Sequence, residues 1–250
     1  MTLIQKQKSR RGIYLLPNLF TTSSLFAAFY SIVASMNLQF ESAVIAIFIG
    51  MIADGFDGRV ARLTNTQTAF GAEYDSLSDM VTFGVAPAIL SYRMALIDLG
   101  KIGWLFAFIY TASVALRLAR FNTQVETADK RYFQGLACPA AAACLASFAW
   151  IAYQNQFNSV LSTIFVALIT VTVAVLMVSN IRYYSFKEVD FKGKVPFISI
   201  LAMVLIFAAI AAYPSWVLFT AFSLYALSGP VFTLIKIQKV RRLRRLRRKG

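Results

Sequence analysis

Four aspartates lie close together in an otherwise apolar part of the chain. The stretch IADGFDGRVARLTNTQTAFGAEYDSLSDM, residues 52–80, contains Asp54, Asp57, Asp75 and Asp79 together with two arginines. Carboxylate oxygens are the ligands that Mg²⁺ and Mn²⁺ prefer in proteins, and a pair of such ions can clamp a phosphoryl group during its transfer. The residue types in this stretch therefore indicate metal-assisted phosphoryl chemistry.

The first half of the stretch predicts a helix with one functional stripe. Residues three or four apart lie on the same helical face, so Asp54 and Asp57 share a stripe with Gly58, Ala61 and Arg62. Because the glycine and the alanine are small, a bulky ligand can approach the helix backbone between the carboxylates and the guanidinium group.

The second half predicts another helix with carboxylates on one face. Gly71, Asp75 and Asp79 are spaced four apart, whereas Glu73 points to the opposite side. The polar segment LTNTQTAF, residues 63–70, is long enough to turn the chain back. Two helices side by side would then bring the four aspartates together.

Four like charges in one site need compensation. Each carboxylate at membrane depth costs about 2.5–3.5 kcal/mol, and mutual repulsion adds to that cost. Two divalent cations would balance the four charges. Two other interpretations stay open at this point: a structural network of Asp–Arg pairs, and a cation-transport site that uses the same carboxylates.

The composition indicates a membrane protein. Of the 250 residues, 58% are hydrophobic and 14% are charged, whereas soluble domains carry about 25% charged residues. Long apolar runs recur along the whole chain, so we predict an all-α, polytopic membrane bundle of about eight transmembrane helices. The predicted spans are residues 15–36, 40–61, 72–96, 102–121, 136–154, 159–180, 195–213 and 215–237.

The short connections between these spans predict a single domain over residues 1–250. A basic segment at 1–14 precedes the spans, and a basic tail at 238–250 follows them. The chain contains no histidine, which removes the commonest general base and metal ligand. Cys138 and Cys144 lie in one alanine-rich run, and we interpret them as reduced packing residues.

Basic residues predict the orientation of the bundle. If the spans alternate, nearly all the lysines and arginines of the connecting segments fall on one side, together with the basic tail. The positive-inside rule makes that side cytoplasmic, so both termini and the aspartates are expected to face the cytoplasm. The net charge of +14 then indicates contact with the anionic surface of a phospholipid bilayer rather than with nucleic acid.

Eight positions of the acidic stretch resemble a family signature. The residues that match D-x2-D-G-x2-A-R-x8-G-x3-D-x3-D are Asp54, Asp57, Gly58, Ala61, Arg62, Gly71, Asp75 and Asp79. This pattern resembles the signature of the CDP-alcohol phosphotransferases, integral membrane enzymes of phospholipid synthesis. The resemblance implies transfer of a phosphoalcohol from a CDP-linked donor to an acceptor hydroxyl, with release of CMP.

The resemblance also implies roles for individual residues. Asp54, Asp57, Asp75 and Asp79 would hold two Mg²⁺ or Mn²⁺ ions, and Asp79 would also be the catalytic base. The residues expected to bind CDP-diacylglycerol are Asn18, Thr21, Gly58, Ala61, Arg62, Thr68 and Gly71.

Further stretches are similar to the bacterial type II phosphatidylserine synthases. These are SDMVTFGVAPA at 78–88, RLARFN at 117–122, YFQGLACPAAAA at 132–143 and LMVSNIRYYSFK at 176–187. The similarity implies CDP-diacylglycerol and L-serine as substrates, a homodimer, and a place in a bacterial cytoplasmic membrane. Other acceptors stay open, namely glycerol 3-phosphate, inositol phosphate and choline.

Four polar residues are candidates for binding the serine or a phosphate. Arg117 and Arg120 lie one helical turn apart, and guanidinium groups bind carboxylates and phosphates with paired hydrogen bonds. Asn122 and Arg182 lie near the same predicted membrane face. The alternative is that the arginines only anchor the helix ends at the membrane surface.

Overall fold

The computed structural model describes residues 15–64, 66, 68–124, 132–157, 159–184 and 197–247, so the basic segment at 1–14 lies outside the described residues. Within them most of the chain is helical, which confirms the predicted all-α class. The α-helices are α1 (Leu15–Met36), α2 (Phe40–Thr64), α3 (Ala69–Asp79), α4 (Ala86–Met94), α5 (Lys101–Gln124), α6 (Cys138–Gln154), α7 (Val160–Val178), α8 (Phe197–Ala212) and α9 (Pro214–Arg247).

The predicted spans coincide with these helices, with one composite case. Predicted span 72–96 consists of α3, a π-helical segment at Met80–Val85, and α4, which follow one another without a break. Among the described residues, four helical segments are long and apolar enough to cross a membrane; they are Pro17–Met36, Lys101–Thr123, Val160–Val178 and Pro214–Lys236. The number of crossings and the side of the termini stay predictions.

Helices α1 and α2 pack closely against each other and against the π-helical segment. A Cβ atom at Gly50 would lie 3.1 Å from Thr82 Cγ2 and 3.4 Å from the carbonyl oxygen of Ser24. The hydroxyls of Ser24 and Thr82 are themselves 3.2 Å apart. A glycine at this position therefore lets three elements meet just below the acidic stretch.

The π-helical segment begins directly after Asp79 and is fixed from α5. A π-helical turn disturbs the regular i→i−4 bonding of the backbone. Here the buried hydroxyl of Tyr110 donates a hydrogen bond of 2.8 Å to the carbonyl oxygen of Phe83. The segment then packs on Val114 and helps to form the larger hydrophobic core between α5, α6, α7 and α9.

Two short strands, which the sequence did not predict, lie before the start of α6 and after the end of α7, and one of them contacts the middle of α9. Strand β1 (Tyr132–Gln134) pairs antiparallel with β2 (Arg182–Tyr184). The buried Tyr183 side chain donates a 2.9 Å hydrogen bond to the carbonyl oxygen of Ala226 in α9. Gly135 follows β1 with a φ of 77°, and a Cβ atom there would collide with the carbonyl oxygen of Met177.

Candidate active site

Three carboxylates from two helices meet at one point. Asp54 and Asp57 on α2 and Asp75 on α3 each offer an oxygen atom, and these oxygens lie within 4.8 Å of one another. The Asp57 side chain is buried, with 5% of its surface exposed. The predicted convergence of the two helices is thus present in the structure.

The fourth aspartate, Asp79, lies beside this group rather than within it. Its carboxyl group is next to that of Asp54, while the carboxyl group of Asp75 is next to that of Asp57. The Oδ1 atoms of Asp75 and Asp79 are both buried without a hydrogen-bond partner. Buried carboxylate oxygens without partners are costly, and hard divalent cations would satisfy them, so the donor set fits a metal site.

Helix α1 contributes a direct partner to the carboxylates. The Thr21 hydroxyl donates a hydrogen bond of 2.8 Å to Oδ2 of Asp57. The hydroxyl of Ser78 donates one of 3.2 Å to the carbonyl oxygen of Thr21. Thr21 was predicted to border the donor, and the structure adds that it orients an aspartate.

Local capping defines where the second helix of the site begins. The backbone N–H of Gly71 donates a 3.0 Å hydrogen bond to Thr68 Oγ1, so Thr68 is the N-cap of α3. A Cβ atom at Gly71 would lie 3.1 Å from that oxygen and 3.5 Å from Oδ1 of Asn18. The absence of a side chain at Gly71 therefore allows the start of α3 to lie against α1.

A cavity of about 240 Å³ lies beside the carboxylates. It is lined by all seven residues that were predicted to bind the donor and by two of the aspartates; the walls include Asn18, Thr21, Asp57, Gly58, Ala61, Arg62, Thr68, Gly71 and Asp75. A Cβ atom at Gly58 would meet nothing within 4 Å, so the space next to α2 is open there.

The four residues predicted to bind the serine or a phosphate lie in different surroundings. Arg117 donates from Nη1 to Cys138 Sγ at 3.1 Å, and its buried Nε has no hydrogen-bond partner. Arg120 instead donates to the carbonyl oxygen of Val178 at 3.1 Å and to Oδ1 of Asn180 at 3.4 Å. Arg120 thereby ties α5 to the end of α7.

The other two residues predicted to bind the serine or a phosphate also differ from each other in their surroundings. Asn122 donates a 3.0 Å hydrogen bond to the hydroxyl of Ser76, the neighbour of Asp75, which places it beside the site. Arg182 is exposed on β2, where it pairs with Gln134.

Cys138 is a site neighbour that sequence reasoning treated only as a packing residue. It is buried at the start of α6, accepts the hydrogen bond from Arg117, and lies near enough to Asp79 for the two to interact electrostatically. No spacing rule links residue 138 with residue 79, because α6 reaches the site only through tertiary packing.

A family model matches the part of the chain that contains the site. The model of the CDP-alcohol phosphatidyltransferase family matches residues 14–169, a range that contains all four aspartates and the whole donor cavity. The chain belongs to this family. Membership confirms the predicted resemblance and the assignment as a transferase, and it disfavours the cation-transport alternative. Of the predicted site residues, Arg182 lies beyond the matched range.

Relatives within the family are similar over most of their length. A Helicobacter pylori protein named CDP-diacylglycerol–serine O-phosphatidyltransferase is 40% identical over 196 residues, which cover 78% of this chain and 82% of that protein. A Bacillus subtilis protein of the same name is 36% identical over 173 residues, which cover 69% of this chain and 92% of that protein. An archaetidylserine synthase of Methanothermobacter thermautotrophicus is 38% identical over 170 residues, which cover 67% of this chain and 69% of that protein.

Proposed function

We propose that the protein transfers the phosphatidyl group of CDP-diacylglycerol to the hydroxyl of L-serine and forms phosphatidylserine and CMP. The observation that carries the proposal is the meeting of the Asp54, Asp57 and Asp75 carboxylates beside a cavity lined by the residues of the family signature. Each named relative acts, by its name, on serine or forms a serine lipid. That agreement favours serine over glycerol 3-phosphate, inositol phosphate and choline.

Four aspartates would hold two Mg²⁺ or Mn²⁺ ions in this proposal. They are Asp54, Asp57, Asp75 and Asp79, and the fit rests on the buried Oδ1 atoms of Asp75 and Asp79 that lack partners. When bound, the ions would polarise the diphosphate and offset the charge of the departing CMP.

Asp79 is the proposed base. A serine hydroxyl is a poor nucleophile at neutral pH, so its proton has to be removed during attack. Asp79 accepts that proton, the serine oxygen bonds to the phosphorus that carries diacylglycerol, and the bond from that phosphorus to the CMP oxygen breaks. Asp79 lies beside the group of three carboxylates and not within it, and this position supports its proposed role as the base in addition to its role as a metal ligand.

Arg117 is the proposed partner of the serine carboxylate. Its Nε is buried without a partner, and its neighbour Cys138 lies near Asp79. A guanidinium group binds a carboxylate through two parallel hydrogen bonds. Arg120 is already bonded to the end of α7, so we assign it a structural role.

The cellular setting is proposed from the same sources. Apolar helices and bacterial relatives support a multi-pass protein of a bacterial cytoplasmic membrane. The clustering of basic residues supports an active site that faces the cytoplasm. A homodimer is proposed from the family resemblance alone.

The test is CMP release by the purified protein from CDP-diacylglycerol in the presence of Mn²⁺ or Mg²⁺. L-serine, glycerol 3-phosphate, inositol phosphate and choline are offered separately. We expect release that depends on serine and disappears in Asp79→Asn. Release with a different acceptor would keep the chemistry and overturn the substrate, whereas folded protein that releases no CMP with any acceptor would overturn the proposed function.

A further inference from the structure

A larger cavity of about 670 Å³ lies between α1 and α2, outside the aspartate site. Its volume is within the roughly 300–1,000 Å³ that is typical of ligand sites. Apolar side chains of Phe26, Tyr30, Ile45 and Ile49 line it, and the exposed fractions of Phe26 and Ile49 are 73% and 55%. The cavity is therefore a surface groove with apolar walls, which we name the α1–α2 groove.

The groove begins one helical turn from the donor cavity. Asn18, Thr22, Phe26 and Tyr30 are spaced four apart and form one stripe of α1. Asn18 lines the donor cavity, whereas the other three line the groove. The Thr22 hydroxyl donates a 2.7 Å hydrogen bond to the carbonyl oxygen of Asn18, which links the two regions directly.

The opposite wall of the groove leads to the same point. On α2, Ile49, Ala53 and Asp57 are spaced four apart and share one face. Ile49 lines the groove, and Asp57 lines the donor cavity. Both walls of the groove therefore continue into the proposed diphosphate site.

The middle of the groove is mainly apolar, and hydroxyl groups lie at its two ends. The hydroxyls of Thr22 and Ser23 lie at the end nearest the donor cavity, and Phe26 and Tyr30 follow along α1. From Thr22 to Tyr30 the helix rises about 12 Å. All of these residues belong to Pro17–Met36, a segment apolar and long enough to cross a membrane. Between these hydroxyls and that of Ser42 at the far end, the groove is lined mainly by the apolar groups of Phe26, Ala27, Tyr30, Ile45, Ala46 and Ile49.

We propose that the α1–α2 groove holds one acyl chain of the lipid donor, with the glyceryl end at Thr22 and Ser23. The inference rests on the proposed function, because it takes CDP-diacylglycerol as the donor. Other occupants are an ordinary bilayer phospholipid and a second copy of this chain. The continuity of both groove walls with the donor cavity favours the donor's own acyl chain.

The first experiment compares two isoleucines on α2. Ile49 lines the groove and Ile52 does not, although both are on the same helix and have exposed fractions of 55% and 61%. Each is replaced by tryptophan, and kcat/KM is measured with CDP-dioleoylglycerol and with CDP-dihexanoylglycerol. We expect Ile49→Trp to lower kcat/KM about tenfold for the long-chain donor and less than twofold for the short-chain donor, and Ile52→Trp to change neither.

The outcomes separate this inference from the proposed function. Equal losses with both donors in Ile49→Trp, or equal effects of the two variants, would overturn the acyl-chain assignment while the enzyme activity stands. If the folded wild-type protein releases no CMP from either donor, the proposed function fails and the acyl-chain assignment fails with it.

The second experiment identifies the occupant directly. p-Benzoylphenylalanine replaces Phe26 in the groove or, as a control, Phe29, which has an exposed fraction of 63% on the same helix and does not line the groove. The protein is irradiated in phosphatidylcholine bicelles that contain CDP-dioleoylglycerol. We expect a donor adduct at position 26 that excess CDP suppresses, and no such adduct at position 29. A predominant phosphatidylcholine adduct or a protein–protein adduct at position 26 would overturn the assignment.

Discussion

The hydroxyl of Thr21 donates a hydrogen bond of 2.8 Å to Oδ2 of Asp57, and this bond joins α1 to an aspartate of α2. The same hydroxyl also approaches the carbonyl oxygen of Pro17 at 3.2 Å, so its position is fixed from within α1. Because Asp57 is buried, few other groups can orient its carboxylate. A residue that the family resemblance assigns to the donor thus also supports the candidate metal site.

The first prediction concerns this hydrogen bond. Thr21→Val keeps the shape of the side chain and removes the donor, so we expect Mn²⁺ affinity to fall roughly 10–100-fold, as is usual when a partner of a metal ligand is lost. Thr21→Ser keeps the hydroxyl and should stay within a few-fold of the wild type. Titration calorimetry with Mn²⁺ measures both variants. Equal affinities in Thr21→Val and the wild type would contradict the orienting role.

The second prediction concerns the metal ligands themselves. Asp57→Asn and Asp75→Asn each remove a charge from the group of three carboxylates, so we expect Mn²⁺ affinity to fall by about a hundredfold or more, beyond the effect of losing a supporting partner. Glu73→Gln is the matched control, because Glu73 is exposed on the same helix as Asp75 and lies outside that group. A similar loss in Glu73→Gln would indicate a general charge effect instead of coordination.

Helical periodicity was sufficient to predict the core of the site. Asp54, Asp57 and Asp75 fall on the expected faces because a spacing of three or four residues determines the face of a helix, and the short polar connector determines that α2 and α3 are neighbours. The all-α class and the positions of the helices also followed from the apolar runs. These features depend on residues near one another in sequence.

Features that depend on tertiary packing were not predictable in the same way. The sequence pattern did not distinguish Arg117 from Arg120, since both lie on one turn of α5; only the approach of the end of α7 gives Arg120 its partners. The pairing of β1 with β2 was missed because each strand is only three residues long. The contact between Arg117 and Cys138 likewise requires α5 and α6 to be adjacent.

The third prediction tests the open space beside α2. Gly55 and Gly58 both have room for a Cβ atom, but only Gly58 lines the donor cavity. Leucine is a better helix former than glycine, so neither Gly55→Leu nor Gly58→Leu should destabilise the helix. We expect Gly58→Leu to raise the KM for CDP-diacylglycerol about tenfold or more, a loss of about 1.4 kcal/mol in binding, and Gly55→Leu to leave it unchanged. Steady-state kinetics at saturating serine provide the test, and equal KM values in the two variants would count against the cavity as the donor site.

The fourth prediction separates the two arginines of α5. Arg117→Lys keeps the charge but loses the planar pair of donors, so we expect the KM for serine to rise about tenfold with little change in thermal stability. Arg120→Met should instead lower the stability by about 1–3 kcal/mol, because methionine has no N–H group and the carbonyl oxygen of Val178 loses its partner, and the KM for serine should stay near the wild-type value. The serine KM and the melting temperature are measured on the same preparations. The assignment fails if both variants raise the serine KM equally.

The fifth prediction concerns the contact between α9 and strand β2. A Cβ atom at Gly229 would collide with the ring of Tyr183, whose buried hydroxyl is bonded to α9 and whose ring therefore has little freedom to move. Overpacking of this kind costs about 1–3 kcal/mol, so Gly229→Ala should lower the melting temperature in detergent. In a Tyr183→Ala background the collision with the ring is gone, whereas the restriction that Pro230 places on a preceding residue with a Cβ atom is the same in both backgrounds. The same Gly229→Ala change should then lower the melting temperature clearly less than it does beside Tyr183. If it is equally destabilising in both backgrounds, Tyr183 is not the residue that requires glycine at position 229.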